Sequence, residues 1–258
     1  MVNLAWQSFL DEIAQWRDSG RQVDFWWRDD DASRPDPALA RLTALAVAAR
    51  VPLALAVIPA DVEAAAFEPI TDWVSLLQHG MDHRNLAATG EKKTEFPLAG
   101  SLPDVLARLK HGRARLQQVA AGSKVLPVLV PPWNRISAPQ LVAHLAAAGY
   151  CGLSTFGPRR SLYAAPGLVM VNTHVDIIDW RGTRGFVGEE LALGQATRHL
   201  QERRSGQADA GEATGWLTHH AVHDEAAWGF MALLLERTRD LQGVCWRAAA
   251  ELFVPQAA

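Results

Sequence analysis

Trp73-Val74-Ser75-Leu76-Leu77-Gln78-His79-Gly80-Met81-Asp82-His83-Arg84-Asn85 runs from an apolar stretch directly into a polar cluster. The apolar part reads as a buried strand. Two imidazoles four residues apart just past its end can turn to one point and each offer a neutral nitrogen to a divalent ion. With nine His in the chain such pairs arise by chance, and taken alone a solvated or hydrogen-bonded pair is the plainer reading. A second run has the same form: Val23-Asp24-Phe25-Trp26-Trp27 ends in Arg28-Asp29-Asp30-Asp31. Two His and one Asp make the donor set of a metal site.

Outward from these two runs, strands alternate with helices. A first amphipathic helix, with Leu4, Phe9, Ile13 and Trp16 on one face, stops at Gly20. Asp36-Pro37 supplies a cap and a first-turn proline for a helix ending near Arg50, and a buried strand follows at Leu53 to Ile58. After a helical piece at about Asp61 to Phe67 and the strand Trp73 to Leu77 comes a polar loop from His79 to Gly100. A loop of that length in a compact domain is usually functional or disordered. Ser101-Leu102-Pro103-Asp104 opens a helix closing at Gly122, and Val125 to Val130 is the fourth strand. Ser137 caps a helix stopping at Gly149; Cys151 to Thr155 and Leu168 to Asn172 read as strands five and six.

Glu189 and Glu190 in the first turn and Arg203 and Arg204 in the last suit the dipole of a helix over about Gly188 to Arg204. Gly215 to Thr218 is a seventh strand, Asp224 to Arg239 a helix, and Gly243 to Trp246 a marginal last strand. Strands that are apolar on both faces and alternate with helices belong to a parallel sheet, and seven of them suggest a barrel.

Composition sets outer bounds. At 258 residues, 49% of them hydrophobic, the chain is expected to be one domain over 1–258. A net charge of -3 gives no electrostatic footprint for nucleic acid or an anionic membrane. No run is long enough to span a bilayer, and the first residues lack the apolar core of a signal peptide, so a cytoplasmic location is expected. Cys151 and Cys245 have no paired spacing and read as buried free thiols. Ten Trp against two Tyr are compatible with stacking on sugar rings.

The polar clusters follow the strands: Asp29 to Asp31 after the first, His79 and His83 after the third, Pro131-Pro132-Trp133-Asn134-Arg135 after the fourth. His174, Asp176, Asp179 and Trp180 follow the sixth, and His219 and His220 the seventh. In a parallel barrel these strand ends converge on one face, where active sites form.

In this order the clusters resemble the five motifs of the polysaccharide deacetylases of the NodB-homology, carbohydrate esterase class. They stand as Asp30-Asp31, His79 to His83, Pro132-Trp133, Asp176-Ile177-Ile178-Asp179-Trp180 and Leu217-Thr218-His219, within about residues 23 to 220. The resemblance implies a distorted (β/α)7 barrel and a divalent metal, most often zinc, that serves hydrolysis of N-acetyl or similar amide and ester groups. Carried over by position, it makes Asp31, His79 and His83 metal ligands and Asp30 the general base. A backbone N–H near Trp133 becomes an oxyanion donor and His219 the general acid. Asp176 then sits beside His219, and Trp180 forms an apolar wall. Trp133, Trp180, Arg135 and Asn85 are candidate substrate contacts, the substrate being a small molecule or oligosaccharide.

Two departures from the pattern stand out. The proline motif of that family begins with an Arg that holds the base, and Val130 occupies the position here; Arg28 and Arg135 are the candidates to replace it. Three consecutive aspartates also allow the pair Asp29-Asp30 in place of Asp30-Asp31. Plainer readings stand beside the functional ones: Asp29 to Asp31 as a solvated turn, His174 as a satisfied strand-end histidine, His220 and His223 as surface residues. Glu91-Lys92-Lys93-Thr94-Glu95 reads as an exposed charged loop, and Asn85 as a local turn residue. Two other classes compete with the hydrolase: a nucleotide-sugar transferase using Asp29-x-Asp31, which leaves His79 and His83 without a role, and a non-catalytic sugar-binding relative, motivated by Val130.

Overall fold

The computed structural model describes residues 3–67, 72–120 and 125–254. Asn3 caps α1 (Leu4–Asp18) by accepting from the N–H groups of Ala5 and Trp6, and the helix buries Trp6, Phe9, Ile13 and Trp16. It leads into β1 (Val23–Ala32). Asp36 caps α2 (Pro37–Ala49) through the Ala38 N–H, as its Asp-Pro start predicts, and the helix stops at Arg50 in the left-handed conformation. β2 (Leu53–Val57) follows, and the expected helical piece consists of two 3-10 turns, Pro59–Asp61 and Ala64–Phe67.

After β3 (Val74–His79) the chain runs without regular structure to α3 (Leu102–Val119); the expected stop at Gly122 lies outside the described residues. β4 (Val125–Val130) precedes α4 (Pro139–Leu145). That helix is shorter than predicted. Ala138, not Ser137, stands at its N-cap, and no side chain caps the helix.

β5 (Gly152–Leu153), β6 (Tyr163–Ala165), β7 (Leu168–Met170) and β8 (Val175–Asp176) are short. Then come α5 (Glu189–Ser205), β9 (Thr214–Thr218), α6 (Glu225–Thr238), β10 (Val244–Trp246) and α7 (Ala249–Leu252).

Neighbouring strands run β5-β4-β3-β2-β1-β9-β8, and every pair in that series is parallel. The predicted sixth strand ends at Asn172, but the extended segment continues to Asp176 as β7 and β8. Its first half pairs with β5, Gly152 opposite Val169, and a parallel bridge links Phe156 to Thr173. Its second half pairs with β9, Val175 opposite Trp216. The segment changes partner midway, which interrupts the ladder but closes the ring, giving the expected distorted barrel with seven strand positions. β6 lies outside, antiparallel to β7, and β10 extends below β2 along the same edge of β1.

Strand alternation sorts the apolar residues into two cores. Trp26, Ala54, Ala56, Leu77, Val128, Val130, Val169 and Val171 pack inside the barrel, closed below by Ala249 and Phe253. Phe25, Trp27, Leu53, Leu55 and Trp216 face outward against α1, α2, α5 and α6. The buried Trp26 ring dictates a glycine on the next strand. A Cβ at Gly215 would stand 2.4 Å from Trp26 Nε1, which already donates to the Asn172 carbonyl at 2.9 Å. Cys151 and Cys245 are free thiols, but both are half-buried rather than buried. Among the described residues no helix is long and apolar enough to cross a membrane.

Candidate metal centre and active site

The three consecutive aspartates face three different partners. A strand would alternate them, but the register of β1 against β2 slips between Asp29 and Ala32, and Asp31 takes a left-handed φ of 75°. Such a bulge re-aims a side chain beside a site. Asp31 therefore turns to β3: its Oδ1 lies 3.2 Å from His79 Nε2 and 3.3 Å from His83 Nε2. His79 is fixed from behind, because its Nδ1–H donates to the Val130 carbonyl at 3.1 Å. That bond places a proton on Nδ1, and in the neutral ring it leaves the Nε2 lone pair facing Asp31. Burial, reinforced by neighbouring His79, pulls the His83 imidazole below its ordinary range, which favours the neutral, ligating form.

One ligand atom from each of the three residues lies within 4.8 Å of the others, and Asp31 Oδ1 is buried with no hydrogen-bond partner. Lone pairs aimed at one another repel unless a cation lies between them. The nitrogen and oxygen donors suit a divalent ion, and a three-residue set leaves positions open.

Asp30 faces the barrel interior, where Arg28 grips it with Nε to Oδ1 at 2.8 Å and Nη2 to Oδ2 at 3.0 Å. The Arg28 side chain is wholly buried and also donates to Ser154 Oγ at 2.6 Å and Asn134 Oδ1 at 2.5 Å. Of the two candidate arginines, Arg28 is thus the one that holds Asp30. Asp29 points outward and accepts from Thr218 Oγ1, the His220 N–H and His220 Nδ1. His220 is accordingly not a surface residue, and His223 is half-buried.

Across the mouth, His219 follows β9 with its Nε2 4.0 Å from Asp30 Oδ2 and its Nδ1 buried without a partner. The Trp180 ring meets it edge-on at 4.7 Å. Trp180 Nε1 donates to Asp176 Oδ2 at 2.8 Å, so Asp176 reaches His219 through the indole and not by a direct bond. Burial raises the Asp176 carboxyl, partly offset by the charge of His219. Trp133, in a left-handed turn at φ 55°, lays its ring 4.5 Å from that of His83.

Arg135 and Asn85, the other expected substrate contacts, bond to backbone groups of one loop. Arg135 Nη1 donates to the Lys93 carbonyl, and Asn85 Oδ1 accepts from the N–H groups of Ala87 and Thr94, so both brace the loop after β3. That loop is exposed at Glu91 to Lys93 but buried from Thr94 to Phe96. Glu95 accepts from the N–H groups of Met81 and Asp82, between the two histidines, and a Cβ on Gly80 would strike its carboxylate. Nothing in the sequence around Glu95 or Ser154 marks them, since their partners are distant, and the cluster that contains Asn134 gives no signal of its bond to Arg28.

His174 was expected at the strand ends but sits lower in the wall, where its N–H donates to the Gly215 carbonyl. It forms a second buried group with His199 and Glu212 whose ligand atoms also lie within 4.8 Å. Here the tautomer argues against a metal. The Gly215 N–H donates to His174 Nδ1 at 3.0 Å, which puts the proton of the neutral ring on Nε2, facing Glu212 Oε2 at 3.3 Å. The nitrogen that would ligate is protonated.

No family model and no curated protein sequence matches the chain. Solved structures do. A polysaccharide deacetylase described as putative, from Mycobacterium smegmatis, superposes with a TM-score of 0.59 at 16% identity, covering 91% of this chain and 90% of that one. A family 4 acetyl xylan esterase from Clostridium thermocellum, in complex with a cobalt ion, gives 0.51 at 16% identity over 89% and 90%. A CE4 family pseudoenzyme from Bacillus anthracis gives 0.55 at 13% identity over 91% of this chain and 66% of that one. At such identities the likeness is one of architecture, and by that measure the chain has the fold of the CE4 polysaccharide deacetylases.

Proposed function

We propose that the chain is a metal-dependent deacetylase: a hydrolase that removes an acetyl or similar acyl group from an acylated sugar or other small amide, cleaving a carbon–nitrogen bond other than a peptide bond. The observation that carries this reading is the division of labour in Asp29-Asp30-Asp31, with Asp31 beside two histidines and Asp30 held apart on Arg28. Asp31, His79 and His83 would hold the ion, for which zinc is the expected identity. Such an ion supplies Lewis-acid polarisation of a carbonyl and a lowered pKa for water.

Asp30 accepts the proton of the attacking water. Its carboxylate is oriented for that by the Arg28 fork, which fixes both oxygens in one plane. His219, across from Asp30, delivers a proton to the leaving nitrogen, and Trp180 with Asp176 holds the imidazole in place and shields it from water. The turn after β4 supplies the oxyanion donor. The N–H groups of Asn134 and Arg135 are spent on the carbonyls of Pro131 and Pro132, which leaves the role to Trp133 N–H.

The non-catalytic reading is favoured by one observation, an aliphatic Val130 where the motif arginine is expected, in a fold that includes a pseudoenzyme. Arg28 counters it by gripping the base from another strand. The transferase reading loses its support, because Asp29 faces away from Asp31 toward Thr218 and His220. Acetate release from N-acetylated sugars by metal-loaded protein, with the Asp30→Asn variant as control, tests the proposal. Release in wild type that is lost in the variant is the expected result, and equal release in both overturns it.

A further inference from the structure

The two indoles that flank the site carry matching cations. On one side the Lys93 ammonium lies 6.0 Å from the ring centroid of Trp133, whose ring meets His83. On the other, the Arg184 guanidinium lies 5.7 Å from the centroid of Trp180, whose ring meets His219. Each flank of the mouth thus repeats one series: a site histidine, an indole, a cation.

Neither cation sits on a loose segment. The Lys93 carbonyl accepts from Arg135, and its neighbour Thr94 is tied to Asn85 and to the Arg135 carbonyl. Arg184 has a left-handed backbone in a turn closed by its own N–H to the Asp179 carbonyl. Among the described residues no carboxylate lies within salt-bridge reach of Lys93 or Arg184, nor of the exposed Arg84 and Arg181 in the same loops.

The acids of these loops bond to groups other than these four cations. Asp82 pairs with Arg108 at 3.0 Å, the Asp179 carboxylate accepts three backbone N–H groups, and Glu91 accepts from Ala88. Among the described residues Lys93, Arg184, Arg84 and Arg181 therefore stand at the mouth without a carboxylate partner. An indole face suits the C–H surface of a sugar ring, while an unpaired cation above it attracts a negative group and concentrates anions at a cleft.

We infer that the substrate is anionic: an acylated sugar or small amide whose phosphate or carboxylate meets Lys93 and Arg184 as its ring stacks between Trp133 and Trp180. This rests on the hydrolase reading and adds the charge of the substrate to it.

The test compares acetate release from di-N-acetylchitobiose, N-acetylglucosamine 6-phosphate and N-acetylmuramic acid by metal-loaded wild type, K93A/R184A and K93R/R184K, at low and high salt. The phosphate and carboxylate arms separate the two sources of charge. The expected result is a kcat/KM about ten-fold or more higher for an anionic sugar than for the neutral one, the scale of a charge-assisted contact. That ratio falls with salt, collapses in K93A/R184A and returns in K93R/R184K. A purely structural role for these side chains lowers all three rates together and leaves the ratio unchanged, which overturns the inference. Equal or better turnover of the neutral sugar also overturns it. If no sugar is hydrolysed, the hydrolase reading fails separately, and calorimetric binding of the same three sugars to the Asp30→Asn protein decides the charge preference. Tighter binding of an anionic sugar upholds it, and equal or absent binding of all three rejects it.

Discussion

Arg28 and Asp30 belong to the same strand and the same face, two residues apart, and form a buried bidentate ion pair inside the barrel with N···O distances of 2.8 and 3.0 Å. Val130, at the position where the resemblance expects an arginine, packs in the inner core.

The first prediction follows from that pair. Arg28→Leu leaves a buried carboxylate without its partner, a change that typically costs about 3–5 kcal/mol. It also strips donors from Ser154 and Asn134. Arg28→Lys keeps the charge but not the fork. Urea titration is expected to show Arg28→Leu as the less stable of the two, while both lose turnover by about 10²-fold or more, a size typical of misplacing a group by an ångström. Full activity in Arg28→Lys would show that the fork is not needed to aim Asp30.

The second prediction concerns the ion. Purified protein is expected to carry about one divalent ion per chain on the Asp31, His79 and His83 set and to lose thermal stability in chelator, because binding energy is folding energy. His79→Ala removes both a ligand and the bond to Val130. Elemental analysis of that variant is expected to show loss of stoichiometric metal, whereas His174→Gln leaves it intact, since the second histidine group is closed to metal by its tautomer. Metal loss in His174→Gln alone would reverse the two assignments.

The alternation of strands and helices was legible because each apolar run ends in a polar cluster, and a run such as Val125 to Val130 has few alternative uses. The helix start at Asp36 followed from capping chemistry, which is local. What sequence could not resolve was non-local. The choice among Asp29, Asp30 and Asp31 depended on a bulge set by pairing with β2, and the choice between Arg28 and Arg135 on which side chain the ring encloses. Glu95 read as exposed because its neighbours Glu91 to Lys93 are; its burial comes from the turn at Gly80 closing over it. The partner switch within Leu168 to Asp176 is likewise a property of ring closure and not of that segment's composition.

The third prediction is a pH dependence of stability. Burial holds His174 well below its ordinary range and, with His174 and Arg203 beside it, pulls His199 down to about 2; burial likewise lowers His223 to about 4. A histidine whose folded pKa is depressed stays neutral while the unfolded chain takes up a proton. Its stabilisation is therefore complete above about pH 6.5 and is lost as pH falls below that value. Glu95, Glu212 and Asp176, raised by burial, and His79 and His220, raised overall by neighbouring aspartates against the effect of burial, have the opposite slope, so the contribution of one imidazole is read by difference. Any stability advantage of wild type over His199→Gln in urea midpoint is expected to shrink as pH falls from 6.5 to 4, because glutamine has no proton to bind. A difference unchanged with pH would mean that His199 titrates alike in both states.

The last prediction separates the aspartates. Asp29 is fully buried on the outer face and accepts from Thr218, the His220 N–H and the His220 ring, so its carboxylate is tied into the packing behind β1 and does not reach the mouth. Asp30 faces His219 at 4.0 Å. Asp29→Asn keeps an acceptor but loses the charge paired with His220. It is expected to lower the urea midpoint while kcat/KM of the folded fraction stays within a few-fold of wild type. Asp30→Asn is expected to keep its fold and its metal and to lose about 10²–10⁴-fold in kcat, the range for a general base. His219→Ala should fall in the same range on substrates whose leaving nitrogen needs a proton. The comparison is made at equal metal occupancy, measured on each sample. A dead Asp29→Asn beside an active Asp30→Asn would shift the catalytic pair by one residue, and it would require the bulge at Asp31 to rearrange when substrate binds.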